Sequence, residues 1–168
     1  LLLYGPRRSG KSSICKNFLD HQVQQPFWHV LFSLQNATKR SEEEILRQLA
    51  DEVCREFSDQ LHQPSLGWCH YNESDPQIYF KRVVQGCLAQ VPDARLILAL
   101  DEFGGALDSY QQGYLDYRFF SYWKELMSEL PQLSLIIALP TSAHSLLSSK
   151  EFSYAFNFAE SLPIMFLD

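Results

Sequence analysis

Eight consecutive residues, Gly5 to Ser12 (GPRRSGKS), fit the pattern G-x-x-x-x-G-K-[ST] without a mismatch. That pattern bends the backbone so that successive N–H groups point inward at a phosphate, while a lysine supplies charge and a hydroxyl supplies a ligand for magnesium. Here Lys11 would bridge the β- and γ-phosphates and Ser12 would hold Mg²⁺. The N–H groups of Gly10, Lys11 and Ser12 would aim a helix N-terminus at the anion. The candidate phosphate-binding set is therefore Gly5, Pro6, Arg7, Arg8, Ser9, Gly10, Lys11, Ser12 and Ser13. At average glycine and lysine usage the pattern arises by chance in a chain of this size on the order of one per cent of the time.

Magnesium in such a loop wants a second ligand, a carboxylate at the end of a neighbouring strand. The run ARLILAL, Ala94 to Leu100, ends in Asp101 and Glu102. Asp101 is expected to hold the metal through its water shell, and Glu102, turned the other way, to polarise an attacking water. A glutamate beside the metal carboxylate suits hydrolysis better than transfer to an acceptor hydroxyl. DEFG at Asp101 to Gly104 also spells the D-x-x-G of GTPases, but no N-K-x-D element that would read guanine is present, and no L-S-G-G-Q-like signature either. ATP with Mg²⁺ is the expected ligand pair. Thr141, after the strand LSLIIAL, is placed to contact the γ-phosphate or the lytic water, with Ser142 the weaker candidate for the same task. The catalytic expectation is thus Glu102, Lys11 and Thr141; the metal expectation is Ser12 and Asp101.

Other residue types carry less. His62, Cys69 and His70 form a loop group that reads as ordinary loop residues rather than a metal site. Cys15, Cys54, Cys69 and Cys87 lack paired C-x-x-C spacing and read as reduced thiols. His144 reads as a helix-surface residue and Arg118 as a snorkelling one, while Tyr117, Phe119, Phe120 and Trp123 read as core. At 46% hydrophobic and 20% charged, the 168 residues suit one globular domain. A net charge of −6 speaks against a general nucleic-acid or membrane-surface binder. No apolar run reaches membrane-spanning length and no signal peptide is visible, so the expected location is the cytoplasm.

The elements that must position these residues follow from periodicity. Leu1 to Tyr4 reads as a strand and Lys11 to about Leu19, with apolar residues at Ile14, Phe18 and Leu19, as a helix, which places the phosphate motif between strand and helix. Phe27 to Leu34 reads as a second strand. Ser41 to Glu44 is a capping box opening a helix through Ile45, Leu46, Leu49 and Val53. Asp75 and Pro76 open the next, with Ile78, Phe80, Val83, Val84 and Cys87 on one side. Ala94 to Leu100 is a strand covered on both faces. A helix over Tyr114 to Leu130 stops at Pro131, Leu133 to Leu139 is the fourth strand, Ala143 to Leu147 a short helix and Leu162 to Leu167 the fifth strand. Alternating strands and helices make an α/β protein with a parallel sheet and a ligand at the strands' carboxyl ends.

With GPRRSGKSS, LILALDEF, LDYRFFSYWKELM, LSLIIAL and FNFAESLPIMFLD in hand, the whole chain resembles the ATPase core of bacterial STAND proteins, signal-transducing relatives of the AAA+ and origin-recognition ATPases. The resemblance implies a three-layer P-loop NTPase with a five-stranded parallel sheet in the order 5-1-4-3-2. It also implies a regulated switch in which ATP binding holds an active state and slow hydrolysis resets it. On this reading residues 1–168 are one ATPase core, part of a longer multidomain protein. Its partners would be flanking sensor and effector domains and other copies of the chain in nucleotide-dependent self-association, with no membrane and no nucleic acid indicated. Two departures stand out: Pro140 occupies a position where related domains often have glycine, and no helical lid follows the core. Two other readings stay open, an AAA+-like motor acting on nucleic acid or protein, and a nucleotide-binding scaffold that never hydrolyses.

Overall fold

The computed structural model describes residues 1–24, 26–37, 39–61, 73–91, 93–147, 149–150, 152–157 and 159–165. In chain order the elements are β1 (Leu2–Gly5), α1 (Lys11–Gln22), β2 (Phe27–Ser33), α2 (Glu42–Leu61), α3 (Pro76–Gln90), β3 (Arg95–Asp101), α4 (Gly104–Gln111), α5 (Tyr117–Glu129), β4 (Leu133–Pro140), α6 (Thr141–Leu147), α7 (Ser153–Phe156) and β5 (Ser161–Pro163). The five strands pair in parallel in the order β2-β3-β4-β1-β5. Read from the other edge, that is the expected 5-1-4-3-2.

Each inner strand alternates between two cores. Leu96, Leu98 and Leu100 of β3 and Leu133, Leu135, Ile137 and Leu139 of β4 join a large cluster with α2, α3 and α5. Ala99, Ile136, Ala138 and Leu3 face the other way, onto Cys15 and Leu19 of α1. Near-continuous apolar strands are what a sheet covered on both faces requires. Phe119, Phe120 and Trp123 of α5 lie fully inside the larger core and meet edge-to-face, so they are packing residues rather than a stacking platform.

Helix starts follow their caps. The Ser41 backbone N–H donates to Glu44 Oε2 at 2.8 Å and the Glu44 N–H donates to Ser41 Oγ at 3.3 Å, a reciprocal capping box. Asp75 Oδ1 accepts from the N–H groups of Gln77 and Ile78, and Asp116 Oδ1 from that of Arg118. Arg118 does not simply reach for solvent: its guanidinium donates to Asp75 Oδ2 at 3.0 Å and to Gln77 Oε1 at 3.2 Å, tying the starts of α5 and α3 together.

Several expectations need correction. Ile14 and Phe18 are 42% and 44% exposed, and the face of α1 turned to the sheet is Lys11, Cys15 and Leu19. Ile78 also faces outward, at 45% exposure. The α5 helix starts at Tyr117, after a turn through Gly113 at φ 79°, and α6 starts at Thr141 rather than Ala143. The fifth strand pairs only over Ser161–Pro163 at the sheet edge, with all three residues exposed; residues 166–168 lie outside the described residues. Cys15 and Cys87 are free and buried, but Cys54 is disulfide-bonded. Cys54 sits on a partly exposed position of α2, and the expectation that all four cysteines are reduced thiols does not hold for it. Cys69, with His62 and His70, falls outside the described residues. Among the described residues no helix is long and apolar enough to cross a membrane.

The helix α4, not foreseen in the sequence, is clamped under the chain that follows β2. A β-carbon on Gly105 would lie 2.2 Å from the Leu34 carbonyl oxygen. One turn further on, Ser109 Oγ donates to the Ala37 carbonyl at 2.7 Å and accepts from the Lys39 N–H at 3.0 Å. Gly105→Ala is therefore expected to destabilise the fold by about 1–3 kcal/mol, the usual cost of forcing atoms into a packed interior. At the size of this chain that lowers Tm by about 2–12 °C. Thermal unfolding followed by circular dichroism checks it, and an unchanged Tm would mean that the clamp gives way freely.

Candidate functional site

The phosphate loop runs from the end of β1 into α1 and its two glycines serve different ends. Gly5 is needed for space, because a β-carbon there would stand 2.2 Å from the Ile164 carbonyl oxygen and 3.0 Å from Ser9 Oγ. Gly10 is needed for conformation: φ is 85° and nothing lies within 4 Å of where its β-carbon would be. It caps α1 with no side-chain hydrogen bond, so the first-turn N–H groups of α1, which have no intrahelical acceptor, are left for an anion.

Lys11 is 8% exposed, and its Nζ donates to Gly5 O at 3.1 Å, Pro6 O at 2.7 Å and Ser9 Oγ at 3.4 Å. The ammonium is thus fixed over the loop by the loop's own acceptors. Ser9, also 8% exposed, is turned inward as one of them.

The carboxylate doublet splits at the end of β3. Asp101 is 8% exposed, its backbone carbonyl accepts from the Leu34 N–H at 2.8 Å, and its Oδ1 accepts from the Glu102 N–H at 2.8 Å. Its charge reaches α1: burial first, and Asp101 second, push the Cys15 thiol up to about 11. Glu102 takes φ 53°, a left-handed conformation rare for a residue with a side chain. That turn buries Phe103 completely and leaves the Glu102 side chain exposed. Strained backbone of this kind concentrates at functional positions.

A cleft of about 1130 Å³ opens at the carboxyl ends of the strands. Arg7, Arg8, Gly10, Lys11, Ser12 and Ser13 line it together with Glu102 and residues of α4 and α6. The structure thus brings together the phosphate loop, the proposed metal-ligating hydroxyl and the proposed base. Gly5, Pro6, Ser9 and Asp101 support the cleft from behind without lining it. Thr141 does not line it either; Ser142 and Ser145 of α6 do. Gln35 and Asp108 line the cleft and were missed by sequence reasoning, since a lone polar residue after a strand or on an unforeseen helix carries no motif. His144 is half-buried rather than on a free helix surface, stacked on Tyr4 at 3.7 Å with Nε2 3.2 Å from Ser161 Oγ.

The donors present fit Mg²⁺. A hydroxyl and one carboxylate are what this ion takes from protein when phosphate oxygens and water complete an octahedron. Among the described residues no group of three or more His, Cys, Asp and Glu forms a metal cage of its own, and an ion bound with a nucleotide needs none.

No family model matches the chain, and no curated protein sequence does. Solved structures do. The Aeropyrum pernix ORC2 protein, solved as ADPNP and ADP complexes, superposes with a TM-score of 0.69 at 16% identity, covering 98% of this chain and 41% of that one. The fold is that of a P-loop ATPase. A Walker-type ATPase of Pyrococcus abyssi gives a TM-score of 0.66 at 17% identity, over 98% of this chain and 48% of that one. The Aeropyrum pernix ORC1 protein in complex with DNA gives 0.61 at 14% identity, over 97% and 38%. The chain spans less than half the length of each of these proteins. The structural likeness runs to ORC-type ATPases and lends nothing to the bacterial signal-transducing branch.

Proposed function

We propose that the chain is the nucleotide-binding core of a magnesium-dependent ATPase of the AAA+, ORC-like type. The observation that carries this reading is the cleft that Lys11 and Ser12 of the phosphate loop line together with Glu102. Lys11 and the first-turn N–H groups of α1 bind and orient the triphosphate; Ser12 in the cleft lining, and Asp101 through the ion's water shell from outside that lining, would hold magnesium, which would neutralise charge on the phosphate oxygens. Glu102 accepts a proton from water as the water oxygen bonds to the γ-phosphorus and the bridging P–O bond to the β-phosphate breaks, releasing ADP and inorganic phosphate. Thr141 or Ser142 would serve as a hydroxyl sensor at the end of β4, and of the two Ser142 has the support of lining the cleft.

The AAA+ reading takes precedence over the signal-transduction switch because the fold's likeness is to ORC-type proteins. The structure of one such protein contains DNA, so a nucleic-acid role for the whole protein belongs to this proposal. A net charge of −6 puts that contact outside the broad surface of the core. Assembly into a nucleotide-dependent oligomer is part of the same reading.

Calorimetric titration of the chain with Mg-ATP, Mg-ADP and Mg-GTP tests it. One ATP per chain is expected, with GTP weaker, and steady-state turnover below about 1 s⁻¹, the lower end of ordinary enzymes. Binding of none of the three nucleotides overturns the proposal.

A further inference from the structure

The Ser9 N–H donates to the Pro6 carbonyl at 3.3 Å, closing a tight turn with Arg7 and Arg8 at its centre. Arg8 sits there at φ 65°, in the left-handed region that a β-carbon disfavours and glycine takes freely. The phosphate-loop pattern leaves position 8 open to any residue, so a glycine would satisfy both loop and turn. Nothing in the fold asks for arginine: the side chain is exposed, and among the described residues no hydrogen bond or ion pair holds it. What Arg8 does have is a place in the lining of the cleft, with Lys11, Ser12, Glu102 and Asp108.

The charges make this position meaningful. Arg7, Arg8 and Lys11 line the cleft against Glu102 and Asp108, a surplus of one positive charge in a protein of net charge −6. Lys11 is already engaged by three loop acceptors, whereas Arg8 is uncommitted. A triphosphate facing Glu102 and Asp108 brings its terminal charge toward two carboxylates. A planar guanidinium with paired N–H donors is the group suited to offset that charge by bidentate contact with phosphate.

Building on the nucleotide reading above, we propose that Arg8 binds the γ-phosphate from within the loop and makes the site discriminate ATP from ADP. ADP offers Arg8 no γ-phosphate, so the contact exists in one nucleotide state only.

The test uses the full chain and four proteins: wild type, Arg8→Gly, Arg8→Ala and Lys16→Ala. Each is titrated calorimetrically with Mg²⁺ and either a non-hydrolysable ATP analogue or ADP, and each is melted without nucleotide. Arg8→Gly should melt at or above the wild-type temperature, because the strain is relieved. It should bind the ATP analogue roughly tenfold to hundredfold more weakly, the scale of a lost charge-assisted hydrogen bond, with ADP affinity unchanged. Arg8→Ala should lose the same discrimination without the gain in Tm, and Lys16→Ala, which removes an exposed positive charge of α1 outside the cleft, should keep it. Equal affinities of wild type and Arg8→Gly for the analogue, or equal losses for analogue and ADP, overturn the assignment while leaving the nucleotide site intact. A wild type that binds neither ligand overturns the nucleotide reading, and this inference with it.

Discussion

Glu102→Gln is expected to slow single-turnover hydrolysis of saturating Mg-ATP by about a hundredfold or more, the scale on which a general base contributes. Affinity for Mg-ATP should stay close to that of wild type. The amide keeps the size and reach of the side chain but cannot accept the proton of an attacking water. Binding should survive because the expected phosphate contacts come from other residues of the cleft lining, Lys11, Ser12 and the start of α1. The substitution also leaves the backbone at φ 53° with a side chain of the same shape, so the turn that buries Phe103 is not disturbed. Rapid quench with radiolabelled ATP checks the rate and calorimetry the affinity. An unchanged rate would move Glu102 from chemistry to structure and favour the scaffold reading. Loss of binding along with rate would mean that Glu102 helps hold the metal.

The phosphate loop and the Asp101–Glu102 doublet were legible because their chemistry is local. A tight glycine turn, a lysine and a hydroxyl within eight residues need no tertiary contact to declare themselves, and neither does an apolar strand ending in two carboxylates. The phase of α1 was not legible. An apolar count favours Ile14 and Phe18 as the inward residues, yet Lys11 must bend over the loop, and that requirement turns the 11, 15, 19 face to the sheet. Chemistry at the first turn overrode hydrophobicity along the rest.

The helix α4 was hidden for a related reason. Its opening Gly104 and Gly105 are poor helix formers, and the helix stands because Leu34 covers Gly105 and Ser109 bonds the loop at Ala37 and Lys39. Those partners are about seventy residues distant in sequence, beyond any local pattern. The apolar run at the chain's end misled in the opposite sense. Only Ser161–Pro163 pair with β1, and Pro163, lacking an N–H, belongs at an edge. Asp108 on the cleft wall was missed because α4 was missed, and the arginines of the loop were seen without their shared cleft.

Lys11→Ala is expected to weaken Mg-ATP binding by about tenfold to a hundredfold or more, since a buried charge-assisted contact with phosphate contributes about 1.5–3 kcal/mol. The geometry adds a complication that the measurement must separate. Lys11 Nζ also satisfies Gly5 O, Pro6 O and Ser9 Oγ, and alanine leaves those acceptors without a donor at the base of the loop. Part of any loss of affinity then reflects a loosened loop, visible as a lower Tm without nucleotide. Lys11→Arg separates the two effects: it keeps the positive charge, but its rigid planar fork is too bulky to reproduce the compact three-way contact of an ammonium. If the charge alone matters, Lys11→Arg binds nearly as well as wild type; if the fitted contact matters, it fails with Lys11→Ala. An alanine variant that melts like wild type and binds Mg-ATP with equal affinity would remove Lys11 from the site, and with it the reading of Gly5 to Ser12 as a phosphate loop.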